Sequence, residues 1–165
     1  MKKSAKTPAE TAVETRYVLA PHMVNALGTA FGGVIMSWID VVAAMVAQRH
    51  CEGIVVTASV DTMSFLDPIY IGDHVILKAS VNYVGRTSME IGIRVTAENL
   101  QTGEIRHTNT SYATMVAIDE NGKPTPVPEL KLNNDTEKRR FKEAELRKAL
   151  RKEYQEKHGE IKLKD

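Results

Sequence analysis

The sequence predicts an α+β fold in which one long apolar helix packs against an antiparallel sheet of about five strands. Three observations lead to this prediction. Residues 34–47 form an almost uncharged apolar segment of helical length, strand-like runs lie on both sides of it, and short glycine-containing links join the later runs. The chain has 165 residues, which is enough for one ordinary domain and too few for two.

The central helix is predicted to start at Gly32–Gly33 and to end near His50. The only charged side chain within residues 34–47 is Asp40, and the apolar residues leave no polar face, so we expect the helix to be buried nearly all round. Gly53 is expected to cap its C-terminus. Such a helix has more apolar surface than one small sheet can cover, and we therefore expect a partner subunit to cover part of it.

The strands are predicted at Val13–Ala20, Ile54–Ser64, His74–Val84, Ser88–Asn99 and Glu104–Ile118. The third and fourth runs alternate between apolar and polar residues, which is typical of an antiparallel sheet with one face in water. The residues expected to face the helix are Val75, Leu77, Ala79, Val81 and Tyr83 in the third run, and Met89, Ile91, Ile93, Val95 and Ala97 in the fourth.

Both ends of the chain are polar and differ in composition from the middle. We expect residues 1–12 to form a flexible N-terminal tail, residues 13–128 to form the folded domain, and residues 129–165 to form a charged helical C-terminal tail. Pro124, Pro126 and Pro128, just before the C-terminal tail, predict an extended exit segment over Lys123–Glu129.

A charged helix is predicted over residues 133–157, with Asn134 or Asp135 as its N-cap. Its apolar residues Leu146, Leu150 and Tyr154 form a narrow stripe at four-residue spacing. This pattern favours a solvated helix that lies on the body of the protein, and docking of a partner is the alternative.

Composition excludes several classes of protein. Lysine and arginine number 22 and aspartate and glutamate 21, so a net charge of +1 favours neither a nucleic-acid partner nor a membrane surface. The single cysteine, Cys51, excludes an internal disulfide framework and fits a reducing compartment. The N-terminus has no apolar signal segment, and the longest apolar stretch is too short to span a membrane. We therefore expect a cytoplasmic protein.

Asp40 and the glycine pair are the strongest candidates for a functional site. A carboxylate two turns into an apolar helix needs a partner or a cleft, and no lysine or arginine occurs within residues 30–48 to pair with it. Gly32–Gly33 at the helix start expose backbone N–H groups that bind developing negative charge, with the N–H of Gly33 as the best donor. A locally paired carboxylate and close helix packing are the alternatives. Together, the two features describe a site that polarises a carbonyl and directs water at it.

Other motifs carry less information. The turn Gly85–Ser88 is either a plain hairpin with glycine at an unusual φ or a polar ligand contact in which Arg86 reaches a phosphate. The five histidines lie at no metal-ligand spacing, so we expect no metal. No serine-hydrolase elbow occurs, and Cys51 is better interpreted as a small buried hydrophobe than as a nucleophile.

One set of motifs resembles a known family. The motif Asn25-x-x-Gly28-x-x-Phe31-Gly32-Gly33-x-x-Met36-x-x-x-Asp40 resembles the hot-dog-fold acyl-CoA thioesterases, in the branch of the bacterial broad-range acyl-CoA thioesterases and the mammalian cytosolic acyl-CoA hydrolases. Supporting stretches lie at residues 55–61, 63–73, 85–88 and 119–128, so the resemblance covers residues 13–128.

The resemblance implies a hot-dog fold and a homo-oligomer. In this family a long central helix is wrapped by the sheet, two protomers pair edge to edge with the sites at their interface, and this branch is often a hexamer built as a trimer of dimers. By the same resemblance, Asp40 is the catalytic carboxylate, as general base or nucleophile, and Gly33 is the oxyanion-hole donor. Asn25 is the polar residue that lies across the dimer interface.

The resemblance also implies the substrate contacts and the reaction. Thr57 and Ser59 lie where the opposing strand passes the site, and Arg86, Thr87 and Ser88 lie where relatives hold the pantetheine and phosphates of coenzyme A. The expected reaction is hydrolysis of acyl-CoA to free fatty acid and coenzyme A. We expect no cofactor, since coenzyme A is part of the substrate and product, and no nucleic-acid or membrane partner. A non-catalytic acyl-CoA sensor is the alternative, and a hydratase, which would need a histidine beside the carboxylate, ranks below it.

Overall fold

A computed structural model of the chain, which describes residues 4–158, contains one antiparallel sheet of five strands. The elements of the described residues are α1 Pro8–Thr11, β1 Val13–Val18, a short 3₁₀ turn Pro21–Met23, α2 Gly32–Cys51, β2 Ile54–Val60, β3 His74–Val84, β4 Ser88–Glu98, β5 Ile105–Ile118 and α3 Asp135–His158. The strand order is β1-β3-β4-β5-β2; the long helix α2 crosses one face of the sheet, and the C-terminal helix α3 lies on the other. The predicted α+β class and five-stranded sheet are confirmed.

The core forms between α2 and the inner face of the sheet. Ile35, Ile39, Val42 and Val46 on α2 are at most 1 % exposed, and they pack in one cluster with the inward residues of β3, β4 and β5. All five residues that were predicted to point inward from β4 are buried. The core therefore follows the period-2 pattern of the strands and one face of the helix.

The opposite face of α2 is not covered within one chain. Met36, Val41 and Met45 are 51 %, 49 % and 40 % exposed, and Asp40 lies among them in solvent. The prediction of a helix buried nearly all round is therefore wrong for a single chain. These exposed side chains form an apolar face on α2, and Val56 and Val60 of the edge strand β2 are also exposed.

The end of α2 differs from the prediction. Glu52, not Gly53, takes the left-handed conformation, with φ of 50°, and its N–H donates to the carbonyl of Gln48 at 2.7 Å. The Nζ of Lys6 lies 2.5 Å from the Glu52 carboxylate and 2.6 Å from the carbonyl oxygen of Arg49. These contacts stabilise Glu52 in the left-handed region, which glutamate tolerates less readily than glycine.

A bulge in β3 changes which way Tyr83 points. The pairing of β3 with β4 shifts register between Val81 and Tyr83, so an extra residue interrupts the alternation. Tyr83 consequently leaves the inner face and packs against Phe141 of α3, with ring centroids 4.9 Å apart. The prediction that Tyr83 faces the central helix is therefore wrong.

Helix α3 covers part of the sheet's outer face. Asn134 is its N-cap, because the Asn134 side chain accepts the N–H of Glu137 at 2.9 Å. Ala144 is fully buried, and the Arg147 guanidinium stacks 3.6 Å from the Tyr112 ring centroid. The helix lies on the body as expected, but through these residues and not through the predicted apolar stripe. Leu146, Leu150 and Tyr154 are instead 61 %, 54 % and 55 % exposed.

The N-terminal segment is also packed where the structure describes it. A capping box between Thr7 and Glu10 starts α1, and Pro8 and Thr11 are buried. Lys6 pairs through its backbone with residues 129 and 131 of the C-terminal segment. This packing differs from the flexible tail predicted for residues 1–12, of which residues 1–3 lie outside the described part. In residues 4–158, no helix combines the length and apolarity needed to cross a membrane.

The buried imidazole of His50 joins the end of α2 to the C-terminal segment. Its Nε2 lies 3.0 Å from the carbonyl oxygen of Pro128, and Nδ1 is buried with no hydrogen-bond partner among the described residues. Because a carbonyl only accepts, Nε2 carries the proton and Nδ1 does not. Burial lowers the pKa of His50, the bond to Pro128 opposes that shift, and the charge of Lys6 adds to it. The folded protein therefore holds His50 neutral.

We predict that acidification destabilises the protein through His50. The unfolded chain takes up a proton near the ordinary pKa of about 6.5, whereas the folded chain resists it, so stability is complete above that pH and falls below it. His50→Gln keeps an N–H donor for Pro128 and cannot be charged. The melting temperature should therefore fall less between about pH 8 and about pH 5.5 in His50→Gln than in the wild type. Equal falls in both proteins would contradict the assignment, and contributions of other titrating groups cancel in the comparison.

Candidate active site

Asp40 and Thr57 form a pair on the exposed side of α2. The Oγ1 of Thr57 donates to Oδ1 of Asp40 at 2.6 Å, and both residues are exposed in the single chain. Hydrogen bonds to a charged carboxylate are stronger than neutral ones, so the pair fixes the orientation of the carboxylate. A bulge shifts the register of β2 between Thr57 and Ser59. It lies directly at this pair, where an extra residue can re-aim side chains.

The N-terminus of α2 presents free backbone donors. Phe31 is the N-cap and provides no side-chain cap, so the N–H groups of Gly32 and Gly33 have no acceptor from a capping side chain. The Phe31 ring fills the space beside Gly33: a Cβ there would lie 2.5 Å from a ring carbon. A Cβ on Gly32 would meet the ring of Phe65 only at 3.4 Å. Gly33 is therefore the one of the two glycines whose replacement would force the Phe31 ring or the helix start to shift.

Gly33 and Asp40 share one side of the helix. Seven residues make close to two turns, which places the two positions roughly 10 Å apart along the axis. A carbonyl group together with an attacking water spans a gap of this order once the carboxylate reaches toward the helix N-terminus. The spacing is therefore compatible with a donor at one end of a reacting carbonyl and a carboxylate at the other.

Asn25 holds a tight loop before the helix. Its Oδ1 accepts the N–H of Leu27 at 2.9 Å and of Thr29 at 3.3 Å, and its Nδ2 donates to the Thr29 hydroxyl at 3.0 Å. Gly28 inside this loop has a φ of 74°, which favours glycine. Asn25 is exposed, and no contact with Asp40 of the same chain is seen in the described residues.

The turn between β3 and β4 is tied to neighbouring segments by its backbone. The carbonyl of Arg86 accepts the N–H of Val127 at 3.0 Å, and that of Thr87 accepts the N–H of Ala117 at 2.9 Å. Gly85 does not have a positive φ; its Cβ would instead meet the Ser88 hydroxyl at 3.1 Å. The expectation that Gly85 supplies an unusual φ is therefore wrong. The Arg86 side chain is exposed.

The structure thus brings some of the predicted site residues together and leaves others apart. Asp40 and Thr57 touch, and Gly33 shares their side of α2. Ser88 pairs with Val116 of β5, next to β2, so the turn lies two strands from Thr57, roughly 10 Å away. Phe31 and Phe65, the neighbours of the glycine pair, were not predicted from the sequence. Two aromatic residues close to a glycine-rich helix start are a weak signal that only packing resolves.

Other kinds of site find no support in the described residues. No group of three histidine, cysteine, aspartate or glutamate side chains within residues 4–158 could hold a metal ion. Cys51 is 3 % exposed and contacts the carbonyl of Gly53, so it is a buried residue, as the sequence analysis favours.

Comparisons with known proteins agree on one family. Residues 27–104 match the Thioesterase superfamily. Protein VdlD from Helicobacter pylori is 41 % identical over 145 residues, which cover 88 % of this chain and 83 % of VdlD. A crystal structure of an apo-hexameric acyl-CoA thioesterase superimposes with a TM-score of 0.89 and 39 % identity, over 92 % of this chain and 97 % of that one.

An acyl-CoA hydrolase from Staphylococcus aureus, solved with butyryl coenzyme A, coenzyme A and coenzyme A disulfide, is also similar. It superimposes with a TM-score of 0.83 and 35 % identity, over 93 % of this chain and 96 % of that one. Other solved structures of that hydrolase carry an asparagine, an aspartate or a threonine replaced by alanine. The three replaced positions follow one another at the same intervals as Asn25, Asp40 and Thr57 in this chain.

Proposed function

The chain belongs to the hot-dog acyl-CoA thioesterases of the Thioesterase superfamily, and we propose that Asp40 is the carboxylate with which it hydrolyses its substrate. The reaction is hydrolysis of acyl-CoA to a free fatty acid and coenzyme A. The observation that carries the site assignment is the 2.6 Å bond from Thr57 to Asp40 on the same side of α2 as the uncapped N-terminus. The matching intervals of the three positions replaced in the Staphylococcus aureus hydrolase support it.

The proposed chemistry follows from the two ends of this site. Thr57 occupies Oδ1 of Asp40, which leaves Oδ2 to accept a proton from a water molecule as general base, or to attack the thioester itself as nucleophile. The N–H of Gly33 stabilises the negative charge that develops on the carbonyl oxygen. In the general-base route the water oxygen bonds to the carbonyl carbon, the carbon–sulfur bond breaks, and the thiolate of coenzyme A takes up the proton.

We propose that the site is completed by a second subunit. The face of α2 around Asp40 is apolar and exposed, and β2 is an edge strand with unpaired backbone groups. Pairing of two β2 edges would cover both, and Asn25 would then reach the site from the other protomer. The hexameric relative supports assembly into a hexamer.

The coenzyme A moiety is proposed to bind along the turn at residues 85–88. Arg86 is exposed and available to a phosphate, and Thr57 and Ser59 lie on β2, two strands from this turn. The bound coenzyme A of the Staphylococcus aureus hydrolase supports coenzyme A as part of the substrate. The hydratase alternative gains no support, because in the described residues no histidine is hydrogen-bonded to Asp40. A non-catalytic sensor would bind acyl-CoA without turnover.

We predict that Asp40→Asn abolishes hydrolysis and leaves the fold intact. The amide cannot accept a proton from water or attack the thioester, and Asp40 lies in solvent rather than in the core of a single chain. Thiol release from a panel of short to long, straight and branched acyl-CoAs measures the loss and gives the substrate range. The matched control is Asp135→Asn on the exposed start of α3, which should turn over at the wild-type rate. Full activity of Asp40→Asn would refute the mechanism.

A second prediction separates the two glycines. Gly33→Ala places a Cβ against the Phe31 ring and shifts the donor, so turnover should fall about 100-fold, the scale of a 1 Å misplacement and the lower limit for removal of one oxyanion donor. Gly32→Ala needs only a small adjustment of Phe65 and serves as the control, with a much smaller loss. Steady-state kinetics of both variants decide the point. Equal effects would remove Gly33 from the assignment.

A third prediction tests whether sites are shared between subunits. Inactive Asn25→Asp and Asp40→Asn proteins, mixed after dissociation and reassembly, should recover part of the activity, because mixed dimers contain one site with neither replacement. Asn25→Asp retains the acceptor oxygen that holds the 25–29 loop. No recovery in verified mixed oligomers would mean that each subunit carries a complete site.

A further inference from the structure

Four charged side chains join α3 to the outer face of the sheet. The Arg147 guanidinium contacts the carboxylate of Glu90 at 2.6 Å. Arg151 lies between two carboxylates, 2.5 Å from Asp61 and 3.4 Å from Glu90. Glu90 is 2 % exposed and Asp61 17 %. We call these four residues, Asp61, Glu90, Arg147 and Arg151, the α3 clamp.

The clamp differs from the other ion pairs on α3. Arg139–Glu143 and Lys157–Glu153 are exposed pairs within one helix, which contribute little to stability. In the clamp, burial raises the pKa of Asp61, and the charge of Arg151 opposes that shift. Removing one partner of a buried pair leaves the other charge uncompensated. Asp61 therefore depends on Arg151 for its position.

Asp61 lies at the junction of two segments that reach the proposed site. It directly follows β2, whose Thr57 bonds to Asp40, and its own N–H donates to the carbonyl of Tyr112 at 2.9 Å. Residues 62–66 then run beside β5. The Phe65 ring of this loop packs over the N-terminus of α2, in van der Waals range of a Cβ on Gly32.

The loop is held at its far end as well. The carbonyl of Ser64 accepts the Asn109 side chain at 2.7 Å, and the N–H of Leu66 donates to the carbonyl of Thr108 at 2.9 Å. These bonds fix residues 64–66 to β5, and the clamp fixes the loop where it leaves β2. Loss of the Asp61–Arg151 contact would therefore leave the end of the loop nearest Thr57 held by the backbone bond from Asp61 to Tyr112, without the side-chain contact.

We propose that Arg151 is a positioning residue for hydrolysis. It acts through Asp61, which holds the end of β2 and the start of the 62–66 loop. β2 carries Thr57, which contacts Asp40, and the loop carries Phe65, which lies beside the N-terminus of α2. The C-terminal helix lies beyond residues 27–104, which match the Thioesterase superfamily, so it would contribute to catalysis from outside that segment. This inference depends on the function proposed for Asp40 and Gly33.

The test compares Arg151→Met with Arg139→Met on the same helix. Both remove a guanidinium and retain an apolar stem, but Arg139 pairs with the exposed Glu143 of its own helix. We expect Arg151→Met to lower kcat about 10- to 100-fold, the scale of a displacement near 1 Å at a reacting centre, with little change in KM. Arg139→Met should retain wild-type kcat. An unchanged kcat in folded Arg151→Met, or an equal loss in both variants, would overturn the proposal.

A double-mutant cycle and a conservative variant distinguish positioning from general stability. Asp61→Asn and Arg151→Met should not be additive in kcat, because each breaks the same contact. Additive losses would overturn the proposal. Arg151→Lys retains the charge and should recover part of kcat at a melting temperature close to that of wild type. If Arg151→Met does not fold, Arg151→Lys decides alone: wild-type kcat would overturn the proposal, and a reduced kcat at unchanged melting temperature would support it.

The same assay separates this inference from the proposed function. If Asp40→Asn is inactive and Arg151→Met is normal, only the role of the clamp fails. If Asp40→Asn is fully active, the site itself is wrongly assigned and the role of Arg151 fails with it.

Discussion

The hydrogen bond from Thr57 to Asp40 connects the two elements on which the proposed site depends. One is the central helix, whose other side forms the core, and the second is the edge strand β2. An aspartate on the third turn of an apolar helix would rotate freely in solvent, because no lysine or arginine lies one turn away from it on that helix. The threonine fixes one carboxylate oxygen and leaves the second for chemistry. The bulge beside Thr57 is consistent with a strand shaped for this contact.

Much of the fold follows from periodicity alone. The alternation in β4 predicts its inward face residue by residue, because the extra residues at its two register shifts lie in β3 and β5 and not in β4 itself. The alternation in β3 predicts the inward face until the bulge after Val81, and then fails for Tyr83. A bulge inserts one residue, and the period-2 pattern in the sequence does not show where that insertion occurs. The prediction of Gly53 as the helix cap fails for a related reason. The left-handed residue is Glu52, and its contact with Lys6 joins residues that are distant in sequence.

The C-terminal helix shows the limit of hydrophobic patterning. Its apolar stripe points to solvent, and its buried contacts are an alanine, an aromatic ring and two arginines that meet carboxylates on the sheet. A sequence pattern predicts that a charged residue is exposed, and it places Glu90 in particular on the solvent face of β4. Only the three-dimensional arrangement shows that Arg147 and Arg151 complement it. For the proposed site, the sequence supplies candidate residue types, and the structure adds which side chains touch.

Assembly and chemistry share one surface in this protein. Asp40 lies within the exposed apolar face of α2, so the side chains that would favour association surround the carboxylate proposed to act on the thioester. In an isolated chain, water screens that carboxylate and competes for it. In the proposed dimer, covering the face with a second subunit would remove most of this water, strengthen every electrostatic interaction at the site and bring a second copy of Asn25 near it. A single chain folds its own core completely, yet it leaves the proposed catalytic carboxylate in solvent, and this is the physical reason to expect activity to require association.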